Sequence, residues 1–232
     1  MTDTLVLQDP AAATAERLAA AANAGGQIAL TGGSTPRDAY ERLAAMDVDW
    51  PGCTLWFGDE RCVPPDDERS NYGMVKATLL DRIDGELPQV RRIPAELGPD
   101  EGADAYEREL RKAFSEPIPV LDLVLLGIGP DAHCASLFPN SPALEERSRL
   151  AVGVPEPGLE PWVPRVTLTL PVINAAHEVV FLAVGPEKAD AVARAFDGEP
   201  GPDAPSSLVS PASGTLTVFL DQAAAGLRLP QG

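Results

Sequence analysis

Short apolar runs alternate along this chain with longer stretches whose apolar residues recur at helical spacing. An alanine-rich stretch over 9–24 reads as a helix, with Asp9 as its cap and Pro10 at its first position; Gly25 and Gly26 end it. Residues 27–30 form a short strand, followed by TGGSTP over 31–36 and a helix from Pro36 to about Met46. Thr35 is placed to cap that helix, with Pro36 at N1 and Asp38 at N3. A strand over 53–57 runs into a loop over 58–71 that is too charged for a core. Tyr72, Val75 and Leu79 form the apolar stripe of a helix over 71–80. A short strand near 90–93 precedes an amphipathic helix over 100–114, where Glu107 and Arg111 are spaced to pair. Residues 121–126 have the pattern of a strand buried on both faces.

The second half continues in the same way. Residues 145–164 are rich in proline, glycine and acid and read as a wrap over the surface beside the strand ends. Arg165 opens an alternating strand, RVTLTL, and residues 178–184 form a buried one. A helix opens near Lys188 and runs to Phe196, with Ala189, Val192, Ala193 and Phe196 expected to face inward. A glycine and proline linker and a short turn over 206–209 lead to a last strand at 215–220, after which Asp221 caps a short helix. Strands alternating with helices predict a doubly wound α/β fold of three layers, with a mainly parallel sheet and helices on both faces. The expectation is one domain over 1–232 with a small excursion near 145–170.

Composition narrows the function. The chain has 232 residues and a net charge of −17, which repels nucleic acid and anionic membranes. It contains no apolar run near the ~18 residues of a membrane span. The N-terminus lacks a basic region followed by an apolar stretch, so no secretory signal is expected. The three cysteines, Cys53, Cys62 and Cys134, lack CxxC spacing; a reduced, cytoplasmic setting without a cysteine metal site is the simplest reading. An anionic ligand would need a local cluster of cations in so acidic a chain.

Ligands of open α/β sheets bind in the loops after the strand ends. One of only two histidines, His133, lies in such a loop, in GIGPDAHCASLFP, two residues after Asp131. An imidazole moves protons near neutral pH, and a nearby carboxylate orients or tunes it; the plain alternative is that His133 caps a following helix. Gly32, Gly33 and Ser34, between a strand and a helix, have the order of a phosphate cradle, or of an ordinary connector. Neither the Walker lysine nor the GxGxxG spacing is present, which argues against a nucleotide loop. Arg61 is either a ligand cation or a surface ion-pair partner, and Asp59 and Glu60 either help a general base or pair with Arg61, with pairing favoured. Arg165 and Lys188 are either surface cations or ligand cations; Lys188 opposes the dipole of its helix. His177 has no chemistry around it, and Cys134 is read as packing rather than as a nucleophile.

Four motifs occur in order: TGGSTP; WFGDER with SNYGMVKATLL; LLGIGPDAHCASLFP; and PRVTLTLPVINAAHEVVFLAVGPEKADAV. Together, over about residues 27–220, they resemble the 6-phosphogluconolactonases, whose broader relatives are the glucosamine-6-phosphate deaminases. The resemblance implies hydrolysis of 6-phospho-D-glucono-1,5-lactone in the oxidative pentose phosphate pathway, without metal or cofactor. It implies catalysis by His133 with Asp131, and substrate contacts from Arg61, Arg165 and Lys188 beside the glycine loop. The partner is then a small sugar-phosphate lactone, with no nucleic acid or membrane, and the oligomeric state stays open between monomer and weak dimer. The alternatives are a deaminase acting on an amino sugar phosphate and a non-catalytic sugar-phosphate sensor of the same fold. The chain departs from the family pattern at Ala132, where a glycine is usual, and at Cys134, where threonine is usual. A glycine at positive φ would leave Ala132 strained.

Overall fold

The structure, a computed structural model, describes residues 2–226. Its centre is a seven-stranded sheet in the order β1 (Thr2–Val6), β10 (Thr215–Leu220), β9 (Glu178–Ala183), β6 (Leu123–Gly127), β2 (Gln27–Leu30), β3 (Thr54–Phe57) and β5 (Gln89–Val90). Every neighbouring pair is parallel. The apolar runs form the inner strands because both faces are covered: all four residues of β3 and the first four of β6 are buried. Successive side chains of β3 show the two coverings. Trp56 packs on Tyr106 and Phe114 at the helix α4 (Pro99–Ala113), and Phe57 packs on Tyr72 of α3 (Asn71–Thr78). The expected doubly wound architecture is therefore the observed one.

The chain leaves β2 for β3 and β5 on one side, then returns to β6 on the other side of β2 and continues outward through β9 and β10. The direction of winding thus reverses between β2 and β6. At such a reversal the loops after the two strands part and leave a crevice at their carboxyl ends. The two loops are those of TGGSTP and of His133.

A second, antiparallel sheet stands beside the crevice, in the order β4 (Asp59–Arg61), β8 (Arg165–Leu168), β7 (Ala151–Val154). It contains the excursion expected near 145–170 and corrects the reading of 58–71 as wholly surface. Asp59 and Glu60 are each only 4% exposed. Ser136 and Asn71 donate to Asp59, and Ser70 with the N–H groups of Arg61, Asn71 and Tyr72 donate to Glu60. Buried acids are tolerated when hydrogen-bonded in this way. β8 is buried along its whole length rather than alternating, because α4 packs against this sheet.

Other expectations shift locally. The helix α1 (Pro10–Asn23) is capped as predicted, with Asp9 accepting from the Ala12 N–H at 3.0 Å. The next, α2 (Arg37–Ala44), begins one residue late and has no side-chain cap, so Thr35 does not fill that role. β1 was not foreseen; all its residues are exposed and carry no core pattern. A short helix α5 (Leu170–Ile173) precedes β9. In α6 (Ala189–Phe196) the inward residues are Ala191, Val192 and Ala195, with Phe196 packed on Phe181, whereas Ala193 is exposed. Asp221 caps a turn, accepting from the Ala224 N–H, rather than a helix within the described residues.

Candidate active site

The crevice holds a cavity of about 320 Å³ whose wall includes Gly32, Gly33, Ser34, Arg61, His133, Arg165 and Lys188. Seven residues from five separate segments of the sequence thus meet in one place. Asp131 lies directly behind His133. His177 is exposed and is not part of this wall.

β6 ends at Gly127, and the chain then turns tightly, with the Gly129 N–H donating to the His133 carbonyl and Ala132 N–H to that of Gly129. Asp131 Oδ1 lies 2.5 Å from His133 Nδ1 and also accepts the His133 backbone N–H at 3.2 Å. The two residues therefore do touch. Nδ1 is then the protonated ring nitrogen, and Nε2 carries the lone pair. Nε2 makes no hydrogen bond to the described residues. Gly129 is required beneath the ring: a Cβ there would lie 2.1 Å from Nδ1. Phe138 supports the imidazole from the side, ring centroids 4.7 Å apart. Residues 134–141, directly after the histidine, form no helix, so the capping alternative falls away. Burial pulls the Asp131 carboxyl upward, but the hydrogen bond and charge of His133 outweigh this and hold it below its ordinary range. Ala132 sits at φ +65°, the left-handed conformation anticipated for this position.

The glycine loop is fixed by Tyr40 of α2, whose buried hydroxyl donates to the Thr31 carbonyl and accepts the Thr31 N–H. Gly32 has no room for a side chain, since a Cβ there would lie 1.8 Å from Asn71 Oδ1. Asn71 in turn donates through Nδ2 to Asp59, at 2.9 Å to its carbonyl and 3.1 Å to its carboxylate. The uncapped start of α2 leaves first-turn N–H groups free of side-chain partners, as anion sites at helix ends require.

Three cations border the cavity. Arg165 is 2% exposed; its Nε donates to the Val163 carbonyl and its Nη2 to those of Leu159 and Pro161, so the 159–163 loop wraps the guanidinium. Burial pushes its pKa down, Asp59 raises it, and Arg61 lowers it further. Arg61 donates from Nη1 to the Arg69 carbonyl, while its Nε is buried without a partner. No ion pair joins Arg61 to Asp59 or Glu60, contrary to the favoured expectation, because those acids are taken by Ser136, Asn71 and Ser70. Lys188, at the start of α6, donates to the Ile128 carbonyl at 2.9 Å.

The network that joins Asp59 and Asn71 of the cavity wall to the buried Ser136 behind it escaped sequence reasoning. Its one available signal was the position of GDER directly after a buried strand. Cys134 is fully buried and its thiol is pushed up to about 12 by burial, in keeping with packing. Among the described residues no group of three or more His, Cys, Asp or Glu is placed to hold a metal, and no helix is long and apolar enough to cross a membrane.

Comparison with known proteins shows the family. Residues 2–218 match the family model described as glucosamine-6-phosphate isomerases/6-phosphogluconolactonase. The human 6-phosphogluconolactonase is 42% identical, over 86% of this chain and 80% of its own. That of Nostoc is 41% identical, over 87% of this chain and 84% of its own. The crystal structure of 6-phosphogluconolactonase from Leishmania guyanensis superposes with a TM-score of 0.85 at 30% identity, covering 99% of both chains. By its motifs, its fold and these similarities, the chain belongs to the family of glucosamine-6-phosphate isomerases and 6-phosphogluconolactonases.

Proposed function

We propose that this protein is a 6-phosphogluconolactonase, hydrolysing 6-phospho-D-glucono-1,5-lactone to 6-phospho-D-gluconate in the pentose phosphate pathway. The observation that carries the reading is the Asp131–His133 pair at the crevice, its Nε2 free of protein partners, in a cavity that also holds three cations. Relatives of this name at 37–42% identity support lactone opening over amino-sugar deamination.

In this reading His133 Nε2 takes a proton from a water molecule as its oxygen bonds to the lactone carbonyl carbon. Asp131 stabilises the imidazolium that forms. The carbonyl oxygen becomes an alkoxide. When the carbonyl re-forms, the bond from that carbon to the ring oxygen breaks, and the ring oxygen takes the proton from Nε2. The new carboxylic acid then ionises and releases a proton to solvent. No metal or cofactor takes part in these steps. The phosphate is held by Arg165, Lys188 and Arg61 with the N–H groups of Gly32, Gly33 and Ser34. This grip offsets the repulsion a dianion meets in a chain of net charge −17. Free Cys53, Cys62 and Cys134 support a cytoplasmic setting.

The test is an assay with freshly made lactone that follows acid release above spontaneous opening. His133→Ala is expected to lower kcat by about 10²-fold or more while the affinity for 6-phosphogluconate stays within a few-fold. Undiminished turnover would remove His133 as the base. Ammonia released from glucosamine 6-phosphate would instead favour the deaminase, and ligand binding without turnover in the unaltered protein would favour a sensor.

A further inference from the structure

The turn that carries His133 is held in an unfavourable shape. Ala132 and Ala135 lie at φ +65° and +49°, two of the three non-glycine residues in the left-handed region among the described residues. Such conformations persist only where the surroundings over-determine them. Inside the turn the restraints are few, chiefly the bonds from Gly129 and Ala132 N–H and the carboxylate of Asp131.

Past Ala135 the chain is tied by Ser136 to Asp59 and Thr167, and the restraints on residues 128–132 come from α6 and the segment that follows it. Arg194 donates from Nη2 to the Pro130 carbonyl at 2.8 Å and from Nη1 to the Asp131 carbonyl at 3.4 Å. Lys188, at the start of the same helix, holds the Ile128 carbonyl, and the Ser206 N–H donates to that of Ala132 at 2.9 Å. Arg194 is itself aimed by Asp190 one turn earlier, which accepts its Nε at 3.0 Å. A guanidinium is a planar fork able to hold two neighbouring carbonyls at once.

We infer that Arg194 is a positioning residue for the reaction: it clamps the backbone of Pro130 and Asp131 to α6 and so keeps the Asp131–His133 pair aimed into the cavity. Arg194 is not part of the cavity wall. Its effect passes through the turn and falls on the chemical step rather than on substrate affinity. This role rests on the lactonase reading, but the grip on the turn does not, and the two are tested separately.

Arg194→Ala is expected to lower kcat about tenfold with KM within twofold, since small displacements of a catalytic group are costly. Arg194→Lys, which keeps the charge and reaches one carbonyl, should recover part of that loss. Without substrate, amide hydrogen exchange over residues 128–138 should speed up at least tenfold in Arg194→Ala, with the strands of the main sheet unchanged. A kcat within twofold of the unaltered enzyme would overturn the inference. So would unchanged exchange in the turn, or a loss shared by kcat and KM with faster exchange throughout the sheet. Failure of the unaltered protein to open the lactone would sink the lactonase reading instead, and the exchange measurement would still decide whether Arg194 holds the turn.

Discussion

Arg61 and Arg165 sit directly opposite each other across the antiparallel pair of β4 and β8. Two like charges in cross-strand register destabilise a sheet, and here Arg61 adds to the burial that lowers the Arg165 pKa, while both border the same cavity. An anion between them turns that repulsion into attraction. On the proposed function, the arrangement gives up stability for binding. Arg61→Ala is therefore expected to leave folding stability within about 1 kcal/mol of the unaltered protein, because lost repulsion offsets the lost bond to Arg69. The same change should raise KM for the lactone about tenfold or more, the effect of removing one charge-assisted contact. Urea unfolding and steady-state kinetics on one preparation check both halves; a large stability loss with unchanged KM would contradict the account.

Asp131 ties activity to acid stability. Its carboxyl lies below the ordinary range in the folded protein, so its stabilising contribution is complete above the unfolded value, about pH 4, and fades as pH falls through the lower folded value. Asp131→Asn lacks this contribution. Between pH 6 and pH 3 the unaltered protein should lose more stability than the variant, measured by urea unfolding at both values. Asparagine also ceases to enforce the Nδ1–H tautomer, and kcat at neutral pH should fall about 100-fold.

Ala132 at φ +65° raises the question of why glycine is dispensable there. The left-handed strain costs about 1–2 kcal/mol. Against it stand a fully buried methyl group, about 0.8 kcal/mol, and about 0.4–1 kcal/mol less unfolded-state entropy than glycine. The two sides nearly cancel. Ala132→Gly should thus stay within about 1 kcal/mol of the unaltered protein and keep its activity. Ala132→Val, a branched residue in a conformation it resists, should lose more than about 2 kcal/mol and most turnover. Denaturation midpoints and kcat for both variants decide it.

Much of the scaffold was legible from local pattern. The strands 27–30 and 215–220 and the Asp9 cap lie where periodicity and capping chemistry put them, because buried apolar runs and helix ends are governed by near neighbours. β1 left no such trace, since its exposed residues owe their strand form to pairing with β10 across the whole length of the chain. β4 misled for a related reason. Its acids read as solvated because their partners, Asn71 and Ser136, are 12 and 77 residues away from Asp59.

The sequence by itself determined the alternation of strand and helix, the glycine loop, the acid and imidazole two residues apart, and the scarce cations, all of which are properties of residues and their near neighbours. Only the tertiary structure decided that β6 returns beside β2, opening the crevice where these pieces meet. It also decided that Asp131 touches His133, that Arg61 opposes Arg165, and that Arg194 reaches the His133 turn from a helix over sixty positions away. Local propensity acts over a few residues, whereas the contacts that join a site are set by how the sheet winds and which side chains its packing leaves room for.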